Sequence, residues 1–208
     1  MQATILREGV ARVEAAGPDA VDRERAQLFA LLGRLLSAAP DAALLAGLAR
    51  LDGDATPLGT AFARLAEAAA AARPETAERE FFDLFIGVGR GELLPYASYY
   101  LTGFLHERPL AELRATLGAL GIARAAGVPE PEDHIAFVCE AYAGLIEDRF
   151  GGAAPDAAAE FFARHLRPWA GRCFADLEVA AAARFYRAVG ALGRIAIEIE
   201  QAASELPA

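Results

Sequence analysis

Lysine is absent from this sequence, and β-branched residues are scarce. All 20 basic residues of the 208-residue chain are arginine, against 29 acidic residues, so the formal net charge is −9 and the sequence pI is near 4.9. A nucleic-acid-binding surface needs clustered positive charge, so this balance argues against a nucleic-acid partner. Valine, isoleucine and threonine make up about a tenth of the chain, whereas alanine, leucine, glutamate and arginine dominate, which favours helix over strand.

Long hydrophobic runs are also absent. The longest stretch without a charged residue is Leu93–His106, which contains a proline and three tyrosines and is shorter than the roughly 20 apolar residues that cross a bilayer. Glu8 and Glu14 interrupt the N-terminal region, which therefore does not read as a secretory signal. We expect a cytoplasmic protein without stable membrane insertion.

Cysteine and histidine are too few and too scattered to predict a metal or redox site. Cys139 and Cys173 form no CxxC motif, so we expect two reduced thiols that fill core space. The three histidines show no HxxxH or HExxH spacing, and we expect neither a metal nor a cofactor. The glycines at 87, 89 and 91 follow a predicted helix and lack the lysine of a phosphate-binding loop. No catalytic residue is predicted, and the chain does not read as an enzyme.

Helix start and stop signals recur along the whole chain. Asp41 and Thr56 are typical N-cap residues, Pro74 and Pro109 suit the first turn of a helix, and Gly121 suits a left-handed C-cap. We predict an all-α fold, a single bundle-like domain of eight to ten helices. A glycine- and proline-rich hinge at about residues 121–131 would divide a larger N-terminal part, residues 1–128, from a smaller C-terminal part, residues 129–208.

Two segments do not fit plain helices. The first, Phe81–Leu105, combines aromatic residues, glycines and a proline, and is either a groove-lining segment or a buried connector. The second, Pro129–Ile135, contains Asp133 and His134. It is either a binding element or ordinary helix-start chemistry, in which a proline and acidic residues occupy the first turn. We expect Asp133 and His134 to act in recognition, since the apolar stripe of the next helix begins only at Ile135.

Together, these segments resemble the TorD/DmsD family of cytoplasmic chaperones that mature molybdenum-containing oxidoreductases. The matching residues keep the family's order between about positions 78 and 147, a third of the chain. They are Leu84–Gly87, Pro95–Leu101, Arg108–Leu110 and Pro131–Ile135, followed by Glu140. The resemblance implies a hinged helical fold that binds the twin-arginine signal peptide of a client and contacts its apo catalytic subunit. Such a chaperone assists cofactor insertion and delays export.

The resemblance also assigns a binding site. Asp133 and His134 match the pair at the leader-binding groove, and Ser98 and Tyr99 match positions that follow the glycine loop. Val88 and the single tryptophan, Trp169, depart from the family pattern. The full expected signal-peptide-binding set is Phe85, Glu92, Pro95, Ser98, Tyr99, Pro131, Glu132, Asp133, His134 and Glu140.

Two other functions stay open on the sequence. One is a chaperone for a nitrate-reductase-type subunit whose leader-like N-terminus is not exported. The other is a helical, nucleotide-dependent enzyme that uses Asp133 and His134 as an acid–base pair, which the missing lysine disfavours. The hinge also permits either a monomer or a domain-swapped homodimer.

Overall fold

The computed structural model describes residues 19–124, 130–151, 154 and 156–205. These residues form ten α-helices and two short π-helical segments, and they contain no strand beyond one isolated bridge, which confirms the all-α prediction. The elements are α1 (Ala20–Ser37), α2 (Ala42–Leu48), α3 (Pro57–Ala71), α4 (Pro74–Phe81), π1 (Phe82–Ile86), α5 (Ala97–Thr102), α6 (Arg108–Ala119), α7 (Ile135–Ile146), α8 (Ala157–Phe161), π2 (Phe162–Leu166), α9 (Ala170–Val179) and α10 (Phe185–Ser204). None of these helices is both long and apolar enough to cross a membrane.

Local capping rules account for most helix boundaries. The Asp41 side chain accepts the Leu44 N–H at the start of α2, and Thr56 does the same for α3. Gly121 adopts a φ of 69° after α6, as a left-handed C-cap requires. Asp156 occupies the N-cap position of α8, but its side chain makes no capping hydrogen bond.

Helix α7 lies at the centre of the core. All but two of its residues are buried, because an all-round apolar helix must be covered by its neighbours. Helix α1 packs most extensively against it, and a Cβ at Gly33 would lie only 3.0 Å from the Ala136 carbonyl oxygen. The stripe that α1 buries begins at Ala26, and Val21 in the first turn is 62% exposed. Helix α10 packs against α9 and α3 on another side of the core.

The two cysteines are buried and unbridged, as predicted. Cys139 lies on α7 and Cys173 on α9, and burial raises the pKa of both thiols. Neither thiol is therefore poised as a thiolate nucleophile at neutral pH.

The predicted hinge falls partly outside the described residues. Gly121–Arg124 and Glu130–Pro131 are described, but residues 125–129, and with them the proposed boundary between positions 128 and 129, are not. The division into two parts therefore stays a prediction.

Candidate functional site

The two unusual segments of the sequence lie against each other. The Ile135 N–H donates to the Pro95 carbonyl at 2.8 Å, and the Ala97 N–H donates to the Asp133 carbonyl at 2.9 Å. Tyr96 and His134 form the antiparallel bridge between these bonds. We call residues 95–98 and 130–135 the paired segments. They join the start of α5 to the start of α7.

Asp133 is 1% exposed, and its side chain caps a helix that is distant in sequence. Its Oδ2 accepts the Ser98 N–H at 2.9 Å in the first turn of α5, where the local N-cap residue, Tyr96, offers no side-chain acceptor. A carboxylate there satisfies a free amide and interacts favourably with the helix dipole. The Ser98 hydroxyl beside it is fully buried and has no hydrogen-bond partner among the described residues.

His134 is the N-cap residue of α7. Its Nδ1 accepts the Ala136 N–H at 3.2 Å, and its ring packs edge-on against Tyr96 with 5.1 Å between centroids. Burial lowers the pKa of His134 to about 4, so the imidazole is neutral at pH 7. Since Nδ1 is an acceptor, the proton of the neutral ring is assigned to Nε2. Asp133 and His134 therefore each supply a helix cap, and their expected role in recognition stays a prediction.

Two acids mark the outer edge of the paired segments; we call Glu130 and Glu132 the rim acids. Glu130 is exposed and accepts the Tyr96 hydroxyl at 2.6 Å. Glu132 pairs with Arg114 at 2.7 Å and with Arg124 at 3.4 Å. Burial alone would raise the pKa of Glu132, but the hydrogen bond from Arg114 and both nearby arginine charges outweigh it, so the pKa is lowered.

The paired segments bring together most of the expected site. Pro95 and Pro131 both contribute carbonyl acceptors, to Ile135 and His134 respectively. Tyr99 follows Ser98 on α5 and is half-buried beside Tyr100, with 6.0 Å between ring centroids.

Three expected site residues lie elsewhere. The half-buried Phe85 ring packs on Phe81 and Tyr186, with centroid distances of 5.1 and 5.4 Å. The Glu92 carboxylate accepts the N–H groups of residues 181 and 182, at 2.6 and 3.0 Å, in the turn before α10. Glu140 is exposed on α7, more than one turn beyond the paired segments.

Sequence reasoning missed helix α5 and the importance of Tyr96. No local N-cap signal marks α5, because its capping acceptor comes from Asp133, 35 residues further along the chain. The available signal for Tyr96 was only its place inside a family-like motif. Within the part of the chain that the structure describes, no three His, Cys, Asp or Glu side chains cluster as metal ligands would.

The fold resembles that of a solved protein connected with redox-enzyme maturation. A crystal structure described as that of a redox enzyme maturation protein, from Archaeoglobus fulgidus, superposes with a TM-score of 0.53 at 19% identity, and covers 92% of this chain and 99% of that one. At this level of identity the similarity concerns the fold alone. The two proteins thus share an all-α fold.

Sequence comparison then identifies the family. The model of the nitrate reductase delta subunit family matches residues 51–175, more than half of the chain, so the chain belongs to that family. "Chaperone protein TorD" from Vibrio cholerae is 36% identical over 98 residues, which are 43% of this chain and 44% of that protein. Its namesake from Aliivibrio fischeri is 39% identical over 69 residues, 32% of each chain. The resemblance to the TorD/DmsD family is confirmed, although the match spans less than half the length of these relatives.

Proposed function

We propose that this protein is a maturation chaperone for a molybdenum-containing oxidoreductase, and that the paired segments bind the client's twin-arginine signal peptide. The observation that carries the proposal is the interlocking of residues 95–98 with 130–135, which hold six of the ten residues that the family resemblance assigns to leader binding; a seventh, Tyr99, follows directly after them. Family membership and relatives named as chaperones support the chaperone class over an enzyme. In this role the chaperone acts in the cytoplasm, holds the leader and contacts the apo catalytic subunit until its cofactor is inserted.

The rim acids provide the chemistry for the leader's arginines. A guanidinium makes bidentate, charge-assisted hydrogen bonds with a carboxylate. The Arg114 side chain that now pairs with Glu132 is 53% exposed, whereas the Glu132 side chain is 14% exposed. In this proposal a leader arginine takes the place of the exposed Arg114 guanidinium and pairs with the same carboxylate.

Apolar surface for the rest of the leader lies at the other end of α5. Leu101, Phe104 and Leu105 are 44%, 70% and 39% exposed. Helix α5 has six residues, so its length is about 9 Å at 1.5 Å per residue. A leader that places its arginines at the rim acids can thus reach this apolar surface with the hydrophobic residues that follow.

Asp133 and His134 have positioning roles in this proposal. Asp133 fixes α5 and His134 fixes α7, so the two side chains set the distance between the rim acids and the apolar end of α5. Because both side chains accept hydrogen bonds from backbone amides, this arrangement disfavours the alternative of an enzyme that uses Asp133 and His134 as an acid–base pair. Phe85, Glu92 and Glu140 would then contact parts of the leader beyond the paired segments.

The test uses a fluorescein-labelled peptide with two adjacent arginines followed by leucines and alanines. Fluorescence anisotropy should detect binding to the wild-type protein, and replacing both arginines by glutamine should weaken it. Glu132→Gln should also weaken binding, by about 10- to 150-fold if a charge-assisted hydrogen bond is lost.

The matched control is Glu67→Gln, which neutralises an exposed glutamate on α3 outside the paired segments. It should leave the peptide affinity unchanged. An equal loss of peptide affinity in Glu132→Gln and Glu67→Gln would mean that the peptide responds only to the net charge of the protein, and would contradict a defined binding site.

The second candidate is a chaperone for a nitrate reductase subunit whose N-terminus is not exported. The description of the matching family, nitrate reductase delta subunit, favours it. Capture of the endogenous client and sequencing of its N-terminus separates the two candidates. Adjacent arginines ahead of an apolar stretch support a twin-arginine client, and an N-terminus without them supports the nitrate-reductase type.

A further inference from the structure

A cleft of about 610 Å³ lies between the end of α3, helix α4 and the start of α10. Its apolar lining consists of Phe185 and an alanine wall, which is formed by Ala68 and Ala71 of α3, by Ala72 directly after α3, and by Ala182. The small side chains of the alanine wall leave room for a narrow polypeptide segment. The volume falls within the 300–1,000 Å³ that is usual for ligand sites. None of the residues expected to bind the signal peptide lines it.

Glu80 forms part of this cleft but is already engaged. Its carboxylate accepts the backbone N–H groups of Arg184 at 2.7 Å, Phe185 at 3.1 Å and Tyr186 at 2.7 Å, and the residue is only 8% exposed. These are the amides with which the N-terminus of a helix ordinarily binds a phosphate. Glu80 therefore takes up these three amides, and its negative charge already occupies the position where a phosphate would bind.

The arginines of the cleft differ in their partners. Arg79 pairs with Asp83 at 3.1 Å. Among the described residues, the Arg184 guanidinium hydrogen-bonds only to the backbone carbonyls of residues 181 and 183, both at 3.4 Å. Arg187 has no ion pair or side-chain hydrogen bond within the same part of the chain. Two neighbouring arginines of this cleft therefore have no carboxylate partner among the residues that the structure describes, although the net charge of the chain is −9.

We propose that the cleft binds an acidic peptide segment of a partner protein. One or two glutamate or aspartate carboxylates pair with Arg184 and Arg187, and adjacent apolar side chains lie on the alanine wall. The arginine fork matches a carboxylate in bidentate geometry. Glu80 disfavours a compact dianion such as phosphate in the same place, whereas carboxylates spaced along a peptide avoid it. The positive charges of Arg184 and Arg187 repel the arginines of a twin-arginine leader, so we expect this site to be separate from the paired segments.

The test uses a fluorescein-labelled heptapeptide of alternating leucine and glutamate, and its leucine–glutamine analogue. The glutamate peptide should bind the full-length protein, and the glutamine analogue should bind about 10- to 150-fold more weakly. Arg184→Gln/Arg187→Gln should lose affinity to a similar extent, and Arg187→Gln alone should lose part of it. Unchanged far-ultraviolet circular dichroism and melting temperature would show that the variants are folded.

The matched control is Arg50→Gln/Arg167→Gln, which removes two exposed arginines that do not line the cleft. This variant should bind the glutamate peptide like wild type. Equal losses in the two double variants, or no binding by the wild-type protein, would overturn the proposal. Displacement of the peptide by excess inorganic phosphate at constant ionic strength would also overturn it, because the site would then be a general anion site.

Competition keeps this site distinct from the proposed leader site. An unlabelled twin-arginine peptide should not displace the glutamate peptide from the wild-type protein. Displacement that persists in Glu132→Gln would mean that the leader enters the cleft, which would contradict the separation of the two sites. Binding of the glutamate peptide to the cleft can be confirmed or refuted without any measurement of leader binding.

Discussion

Replacement of Asp133 by alanine removes the only side-chain cap of α5 that the structure describes. The Ser98 N–H would then be buried without its acceptor, next to a Ser98 hydroxyl that already lacks a partner. A hydrogen bond to a charged group contributes about 1.5–3 kcal/mol to stability. In a domain of this size each kcal/mol lowers the melting temperature by about 2–4 °C, so Asp133→Ala should lower it by about 3–12 °C.

The assay is thermal unfolding followed by circular dichroism, with Asp133→Asn as the isosteric control. The asparagine side-chain oxygen can still accept the Ser98 N–H, so its melting temperature should lie closer to that of the wild type. Leader affinity measured on the same samples tests the positioning role: Asp133→Ala should weaken binding more than Asp133→Asn. An unchanged melting temperature in Asp133→Ala would refute the capping argument. Normal stability with lost leader affinity in Asp133→Asn would instead make the charge a direct contact.

Three further predictions concern other buried polar groups. In urea titrations, Glu80→Ala should lower the free energy of unfolding more than Glu80→Gln, because the remaining side-chain oxygen of glutamine still accepts N–H groups at the start of α10. Equal losses of stability in the two variants would contradict this. Burial lowers the pKa of His134 and His165 from 6.5 to about 4, so between these pH values the unfolded chain binds more protons than the folded chain. The free energy of unfolding should therefore fall as the pH drops from about 6.5 towards 4. His134→Asn keeps a capping acceptor but removes one of the two titrating groups, so it should reduce the dependence of the free energy of unfolding on pH. An unchanged pH dependence would count against the buried, neutral state of His134. Tyr142→Phe removes a 2.6 Å hydrogen bond to the buried Glu200 carboxylate and should cost about 1.5–3 kcal/mol, whereas wild-type stability in the same assay would argue against the bond.

Features determined by neighbouring residues could be predicted from the sequence. Asp41 and Thr56 cap helices that begin at the next residue, and Gly121 ends α6 with the backbone angle expected of it. The apolar run from Ile135 to Ile146 identified α7, because a helix that is apolar on every side must lie in the core. These signals are local, so they predict helix boundaries without knowledge of the tertiary structure.

Features determined by distant contacts could not be predicted in the same way. The start of α10 at Phe185 is one example, because Glu80 and Glu92 hold the preceding turn through its backbone amides. Those glutamates are about 90 to 105 residues away from the amides that they bind. The same applies to the candidate site, where helix-start chemistry was one of two interpretations of the segment with Asp133 and His134. The burial of both side chains, and the capping of α5 by Asp133, depend on residues that are distant in sequence.

The acidic composition therefore overstates the charge that this protein offers to a ligand. Glu80, Glu92 and Asp133 are bound to backbone amides at helix starts or turns, and Glu200 is buried with Arg25. Each of these carboxylates stabilises a contact between distant parts of the chain, so its charge is already engaged within the protein. Recognition of a twin-arginine leader then depends on the few acids at the rim of the paired segments. Since Glu80 bonds to the α10 backbone and not to side chains, it also leaves neighbouring arginines available, so an acidic chain can present a site for an acidic peptide.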